Sequence, residues 1–305
     1  IYFAEEGTID VEAPESLRAP GGDTLLVGYD AAAGGRIDHF TTSFELLSES
    51  RLGTGEQLAL DGQGNLYSGY QEGTSLRVIT AVCSLENDPA LPAAVDYQIV
   101  AAAGVVQPRG VAVIDSLAIT LVADSNPELP MIALFGKLAT GETILGLRLT
   151  ALDDSHPTDL TYDAANDRLF VATQEGTVLV FNDYSLDYGV EGPDQVIVPY
   201  DPSGTVQAVN SINSLAYDAA TDTLVLADSG EAGDAADGQI LVLNNVSLRS
   251  SAAAVRLQIT GAETHLLDPL DVAFDGSSIY VADASSGALL RFDDVLTPSG
   301  IVALA

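Results

Sequence analysis

The chain repeats one strand-rich unit along its length. Each unit holds a short apolar strand, an Asp-rich or Gly-rich turn, a second strand ending in a Val-Ala-Asp-like tripeptide, a polar loop and a third strand. Five segments follow this pattern well, and a degenerate sixth precedes them: 56–78, 109–135, 158–181, 213–243, 270–292 and 15–40. Repetition at about fifty residues is a signature of propellers and other repeat folds.

A fourth apolar stretch lies between consecutive units. These stretches fall at 44–47, 97–100, 143–149, 195–198, 255–259 and 301–303. Four strands make one propeller blade. We therefore predict an all-β fold in which residues 1–305 form a single six-bladed β-propeller, with four antiparallel strands per blade and closure by terminal strands. The blades begin near residues 15, 56, 109, 158, 213 and 270. A β-sandwich does not explain why the same turn and tripeptide recur.

The repeats resemble a known group of propellers. The strings GVAVIDSLAITLVADS, DLTYDAANDRLFVAT, SLAYDAATDTLVLADS and DVAFDGSSIYVADAS are similar to blades of the six-bladed NHL, SMP-30/gluconolactonase and YVTN-like superfamily. The resemblance covers nearly the whole chain and implies architecture more than function. Its gluconolactonase branch implies a Ca²⁺-dependent lactone hydrolase, with metal ligands from a Glu-Gly-Pro motif, two Asn and an Asp.

The net charge and the cysteine content limit the classes of partner and of covalent cross-link that the chain can have. The formal net charge is −33, and Lys137 is the only lysine. This charge argues against nucleic acid or an anionic membrane surface as partner, and no apolar window approaches the roughly 18 residues of a membrane-spanning helix. The single cysteine, Cys83, excludes an intrachain disulfide. We expect a protein partner or self-association, and a carboxylate-dense surface of the kind that suits a salty environment.

The first residue bears on location. Ile1 is not an initiator Met, and no charged, apolar signal region precedes it. The chain is therefore read as a processed mature form or a trimmed fragment. We expect processing, and hence an extracellular, periplasmic or cell-surface location.

The first strands place a ring of residues at one mouth of the central channel. The ring lies two positions before each apolar anchor and consists of Glu15, Glu56, Arg109, Thr158, Asn213 and Leu270. Carboxylate and amide oxygens suit Ca²⁺, but an arginine in the same ring would repel a metal. A polar, water-filled mouth is the alternative.

The resemblance to gluconolactonases runs through the same ring. Asn213 occupies the place of a family ligand, and Glu15 or Glu56 stands for the family's Glu. The Glu-Gly-Pro string is missing, and Leu270 lies where the family has an acid. The resemblance thus implies only a partial metal set.

Further acidic residues follow the second strands. These strands end at Tyr29, Tyr70, Asp124, Thr173, Asp228 and Asp283. The resemblance to the superfamily implies that the three aspartates bind backbone amides of the following loop. A second candidate Ca²⁺ site is the loop that carries Asp228, Glu231, Asp234 and Asp237, whose spacing is not that of an EF-hand. A solvated acidic loop is the alternative.

The termini supply one strand too many. The segment Ile1, Tyr2, Phe3 and Ala4 and the segment Ile301, Val302 and Ala303 both fit the last strand of the closing blade. Either the closing blade has five strands, or the N-terminal strand closes the ring and the C-terminus packs elsewhere. The remaining alternative is that one terminal strand adds to the edge of a neighbouring molecule.

These features favour a non-catalytic binding or assembly module that self-associates through a terminal strand. The alternative is a Ca²⁺-dependent, lactonase-like hydrolase at the channel mouth. No cofactor is certain from the sequence, and Ca²⁺ is the one candidate.

Overall fold

A computed structural model describes most of the chain. The described residues are 8–10, 14–18, 23–29, 36–50, 57–70, 75–79, 97–100, 105–137, 152, 155–230, 237–249 and 251–303. No helix within these ranges is long and apolar enough to cross a membrane.

The strands follow one another in six sheets. Strand β1 (Thr8–Asp10) precedes sheet 1, which holds β2 (Pro14–Arg18), β3 (Thr24–Tyr29), β4 (Arg36–Thr41) and β5 (Leu46–Ser50). Sheet 2 holds β6 (Leu58–Leu60), β7 (Leu66–Tyr70), β8 (Ser75–Ile79) and β9 (Tyr97–Val100). Sheet 3 holds β10 (Pro108–Ile114), β11 (Ile119–Asp124) and β12 (Met131–Gly136).

The second half of the chain is built in the same way. Sheet 4 begins with β13 (Pro157–Asp163), β14 (Arg168–Thr173), β15 (Val178–Phe181) and β16 (Gln195–Tyr200). Sheet 5 begins with β17 (Ile212–Asp218), β18 (Thr223–Asp228) and β19 (Gln239–Asn244). After these come β20 (Ser251–Ala254), which joins sheet 4, and β21 (Leu257–Thr260), which joins sheet 5. Sheet 6 holds β22 (Pro269–Phe274), β23 (Ile279–Asp283) and β24 (Ala288–Phe292), and β25 (Gly300–Ala303) follows it.

Short helices occupy some connections. They are α1 (Tyr184–Asp187) and the 3-10 helices Asp115–Leu117, Val246–Leu248 and Ala262–Thr264.

The sheets pack face to face in a closed ring. One apolar cluster lies between each pair of consecutive sheets, and a further cluster joins sheet 6 to sheet 1, where Leu17 packs with Tyr280. The middle strands are therefore buried on both faces. This explains why β11, β14 and β18 are apolar at nearly every position rather than at alternate ones. The fold is a β-propeller, as predicted.

Five of the sheets contain four or five described strands and are complete blades. Sheet 3 contains three. The fourth strand predicted for it, at 143–149, lies outside the described residues. The structure thus shows five complete blades where the sequence predicts six.

The N-terminal strand closes the ring. Strand β1 lies antiparallel to β24, with Ile9 opposite Leu289, and becomes the outer strand of sheet 6. The closing strand is therefore Thr8–Asp10. The predicted segment at residues 1–4 lies outside the described residues.

The C-terminal strand joins a different sheet from the one expected. Strand β25 runs parallel to β21, with Ile301 opposite Gln258, on the outer edge of sheet 5. Of the alternatives for the termini, the structure shows the one in which an N-terminal strand closes the ring and the C-terminal strand packs elsewhere, so residues 301–303 are not the fourth strand of the last unit. Internal strand β20 behaves like β25 and lies parallel to β16 on the edge of sheet 4.

Candidate functional site

The innermost strands of five sheets carry a bulge where each strand begins. The pairing of β13 with β14 shifts between Pro157 and Asp159, and the equivalent shift in β17 lies between Ile212 and Ser214. Strands β2, β10 and β22 show the same irregularity. A bulge inserts one unpaired residue and changes which side chains face the neighbouring strand. The side chains that meet along the axis therefore follow the bulge.

Three of these side chains form a buried hydrogen-bonded group, which we call the axial trio: Asp159, Ser214 and Asp271. The Ser214 Oγ atom lies 2.9 Å from Oδ2 of Asp159 and 2.6 Å from Oδ1 of Asp271. The three residues come from sheets 4, 5 and 6, and each is at most 5% exposed. The trio therefore links three consecutive sheets away from bulk water.

The carboxyl groups of the trio also bind backbone N–H groups of the next sheet. Oδ2 of Asp159 accepts from the Leu215 N–H at 2.9 Å, and Oδ2 of Asp271 accepts from the Leu17 N–H at 2.6 Å. The second bond crosses the seam between sheet 6 and sheet 1. These interactions fasten neighbouring innermost strands to one another.

Burial changes the acidity of both carboxyl groups. It raises the pKa of Asp271 to about 7, and the nearby Asp159 carboxylate adds to this effect. Burial also raises the pKa of Asp159, to about 6, against the opposing effect of its hydrogen bonds from Leu215, Ser214 and Leu160. Desolvation disfavours a charged carboxylate, and a second acid nearby disfavours it further.

The predicted channel-mouth residues lie on or beside the bulges. The Thr158 hydroxyl is buried and donates to the Ile212 carbonyl at 2.6 Å. Nδ2 of Asn213 donates to the Pro269 carbonyl at 3.1 Å. Arg109 and Leu270 are half-buried. Glu15 lies in β2 but its side chain is not described, and Glu56 lies outside the described residues.

Innermost strands of several sheets meet at this level. The Gln57 amide reaches across from sheet 2 to sheet 5 and donates to the Asn213 carbonyl at 3.2 Å. A Cβ atom on Gly110 would lie 2.4 Å from the Cα atom of Asp159, so the first strands of sheets 3 and 4 touch directly.

The described candidates do not fit a Ca²⁺ site. No cluster of three or more His, Cys, Asp and Glu suited to a metal occurs in the described part of the chain. Oxygens of Asp228 accept from the N–H groups of Asn210, Ser211 and Gly230 at 3.0 to 3.2 Å. Those oxygens are committed to donors and are not free for a cation. Asp237 is half-buried, and Glu231 and Asp234 lie outside the described residues.

The aspartates that end the second strands bind backbone amides. Asp124 accepts from the N–H groups of Val106 and Gln107 at 3.1 and 2.6 Å. Asp283 accepts from those of Leu267 and Asp268 at 2.8 and 2.9 Å. These amides belong to the loop before the innermost strand. The expected amides of the following loop are bound as well, since Asp283 accepts from the Ser286 N–H at 2.8 Å and Asp228 from that of Gly230 at 3.1 Å. The repeated Asp thus holds both loops.

Sequence reasoning missed the axial trio by one position. The aligned units place a polar residue or glycine directly before each apolar anchor, in the order Ser16, Gln57, Gly110, Asp159, Ser214 and Asp271. This recurrence was the available signal. The bulge, which depends on packing between sheets, decides that this position and not the preceding one meets the axis.

Comparison with known proteins shows the fold alone. No family model and no curated protein matches the chain. A structural genomics protein of unknown function from Bacteroides thetaiotaomicron is similar, with a TM-score of 0.60 and 15% identity over 93% of this chain and 70% of that one. Hydrazine synthase of Kuenenia stuttgartiensis has a TM-score of 0.60 and 14% identity, over 93% and 96% of the two chains.

A third similar structure is Raptor of Chaetomium thermophilum, with a TM-score of 0.60 and 11% identity over 97% of this chain and 29% of that one. At such identities, the similarity shows a shared β-propeller architecture and gives no information about chemistry.

Proposed function

We propose that the chain is an exported, acidic, six-bladed β-propeller that acts as a non-catalytic binding or assembly module and self-associates through strand β25. The observation that carries this proposal is the position of β25 on the outer edge of sheet 5, as an added parallel strand beyond the four of the blade. A strand from a second molecule could form the same backbone N–H and C=O hydrogen bonds at that edge.

Added strands recur on neighbouring sheets. Strand β20 lies on β16 with Ser251 opposite Ile197, and β25 lies on β21 with Gly300 opposite Leu257. Both added strands are four residues long and both are parallel. The outer edges of sheets 4 and 5 therefore accept strands from elsewhere in the chain, which supports acceptance of a strand from another copy.

The contacts of β25 are weak compared with those of the blades. Its Ile301 side chain is 58% exposed, and Val302 is the residue of the strand that packs against the cluster between sheets 5 and 6. Main-chain hydrogen bonds supply most of the binding energy in strand addition. Exchange of β25 between two copies keeps those bonds and exposes no additional core.

The segment before β25 is anchored at one residue. The Arg256 guanidinium donates to the carbonyls of Val295, Leu296 and Pro298, and the Arg256 carbonyl accepts from the Gly300 N–H at 2.8 Å. These bonds hold residues 295–300 on their own molecule, so exchange of β25 must break the bond between the Gly300 N–H and the Arg256 carbonyl. The hinge for exchange would lie in the chain between the buried Val295 and β25.

The axial groups support a non-catalytic role. The carboxyl groups of Asp159 and Asp271 face backbone N–H groups and the Ser214 hydroxyl, and Asn213 donates to a carbonyl. The polar atoms of residues that hold strands together in this way are already engaged in hydrogen bonds. The six-blade count rests on the six consecutive sheets.

A disulfide trap tests the association. In a Cys83→Ser background, Gln258→Cys with Ile301→Cys places the two thiols on opposed residues of β21 and β25. If β25 exchanges, oxidation at high protein concentration gives covalent dimers or longer species on a non-reducing gel. Each single cysteine variant is the matched control, because it lacks the second thiol at this pair.

Two results would overturn the proposal. Purely intrachain disulfides at every concentration, with a monomer by light scattering, exclude exchange through β25. Calcium-dependent lactone hydrolysis that is abolished by Asn213→Ala would instead support the hydrolase.

A further inference from the structure

We propose that the axial trio is a proton-dependent latch, in which Asp159 and Asp271 hold one proton between them through the Ser214 hydroxyl, and that loss of this proton weakens the seam between sheets 6 and 1. This inference concerns regulation of the ring itself and goes beyond the proposed assembly role.

The number of hydrogens between the three side chains points to this proton, although the Ser214 Oγ also accepts from the Val272 N–H at 3.3 Å. The Ser214 hydroxyl has one hydrogen, yet its Oγ lies within hydrogen-bond distance of both carboxyl groups, at 2.9 and 2.6 Å. With both acids ionised, one carboxylate would face an oxygen lone pair in a buried site. With one acid protonated, its O–H donates to Oγ and the Ser214 O–H donates to the other acid. Every short contact then has a hydrogen.

The surroundings place the proton on Asp271. Each carboxyl accepts from two backbone N–H groups, Asp159 from Leu160 and Leu215, and Asp271 from Leu17 and Val272. The difference between them is the guanidinium charge of Arg18 on β2, which favours the ionised form of Asp159. Within the described residues, the charged groups that act on the pair are the two carboxyls themselves, on either side of β17, and Arg18. Since Arg18 acts on Asp159, Asp271 is the more readily protonated acid.

The proton is linked to ring closure through one hydrogen bond. Oδ2 of Asp271 accepts from the N–H of Leu17, whose side chain is 2% exposed in the cluster between sheets 1 and 6. Deprotonation places a second negative charge beside Asp159 in a site without bulk water. Repulsion and the demand for hydration then act to separate the carboxyls. Because Asp271 is fastened to sheet 1 and Asp159 to sheet 5, the displacement strains the seam.

Infrared difference spectroscopy tests the proton directly. A carbonyl stretch of a protonated carboxylic acid is expected in the wild-type protein at neutral pH and is lost on raising the pH. Other buried carboxyls absorb in the same region, so the comparison with Asp271→Asn is decisive. The matched control is Asp293→Asn, which changes an acid next to the same sheet that bonds Arg291 and Ser278 instead.

The expected result is a titrating band in wild type and in the control that is absent from Asp271→Asn. Ser214→Ala should retain the band but shift it to higher frequency, because the acid loses its acceptor. Equilibrium unfolding should show uptake of about one proton on folding near pH 5 to 6 in wild type, which disappears towards about pH 9, and less uptake in Asp271→Asn. A wild-type spectrum without the band, or a band unchanged by Asp271→Asn, would overturn the latch.

Discussion

The backbone N–H of Leu17 lies 2.6 Å from Oδ2 of Asp271, and this hydrogen bond joins residues 254 positions apart. It crosses the seam at which the last sheet meets the first. At the seam, strand β1 pairs with sheet 6 and precedes β2 of sheet 1 along the chain. The apolar cluster around Leu17 and a hydrogen bond from the Arg291 guanidinium to the Thr42 carbonyl, at 3.0 Å, also join the two sheets.

Replacing Asp271 with alanine should therefore destabilise the protein strongly. The change leaves the Leu17 N–H buried without its acceptor, at a cost of about 3 kcal/mol. Urea unfolding at pH 6 measures the difference. Asp293→Ala, which removes a half-exposed surface acid, should cost less than about 1 kcal/mol. Equal losses of unfolding free energy in the two variants would show that the seam contact stabilises the protein no more than a surface ion pair does.

Much of the ring follows from local sequence patterns. The strings that begin β13, β17 and β22 carry a period-two pattern and recognisable turns, so these strands could be predicted. Strand β20, with the sequence Ser-Ala-Ala-Ala, could not. Its residues have little strand propensity, and it forms because the edge of β16 is available. The attachment of β25 to β21 has the same non-local cause.

Gly110 shows why the axial packing is difficult to predict. A methyl group at this position would lie 2.4 Å from Cα of Asp159 and 2.8 Å from Oδ1 of the same residue. Gly110→Ala is expected to cost about 3 kcal/mol, since two backbones must separate to accept it. Gly62→Ala is the control, because its Cβ meets only the side chain of Asp115, at 3.1 Å.

Thermal and urea unfolding should distinguish these two glycine variants clearly. A Gly110→Ala protein as stable as the wild type would mean that sheets 3 and 4 are not in direct contact at the axis. Gly62→Ala should stay within about 1 kcal/mol of the wild type, because the Asp115 side chain is 47% exposed and can shift by a few tenths of an ångström while keeping its pairing with Lys137.

The only lysine of the chain predicts an acid-side pH dependence. The Lys137 ammonium lies 2.9 Å from Oδ2 of Asp61, whose side chain is fully buried, and also pairs with Asp115. Burial by itself would raise the pKa of Asp61, but hydrogen bonds from Lys137 and Asn65 lower it to about 2. This stabilisation is present above the ordinary pKa of about 4 and is lost as the pH falls towards 2.

Lys137→Gln should thus destabilise the protein at neutral pH by about 2 kcal/mol, because it leaves a buried carboxylate without its cation. The difference from wild type should shrink between about pH 4 and pH 2, as Asp61 becomes protonated in both proteins. Unfolding followed by circular dichroism across this range measures it. A difference that stays constant with pH would show that Lys137 stabilises by packing alone.

A buried hydroxyl offers a stabilising substitution. Tyr184 is fully buried between α1 and sheet 4, and within the described part of the chain its hydroxyl oxygen has no hydrogen-bond partner. Burial raises the pKa of this phenol, as expected for a polar group removed from water. Tyr184→Phe removes the unpaired group and keeps the ring, so it should stabilise the protein by about 1 kcal/mol.

The neighbouring Tyr162 is the matched control. Its hydroxyl donates to Oδ1 of Asp167 at 2.7 Å, and its ring lies edge-on to that of Tyr184. Tyr162→Phe should therefore lower the stability by about 1 kcal/mol, opposite in sign to Tyr184→Phe. Melting curves of both variants and the wild type at one pH show whether each substitution raises or lowers the stability. A loss of stability in both variants would mean that the Tyr184 hydroxyl has a water or protein partner, and its burial would then carry no penalty.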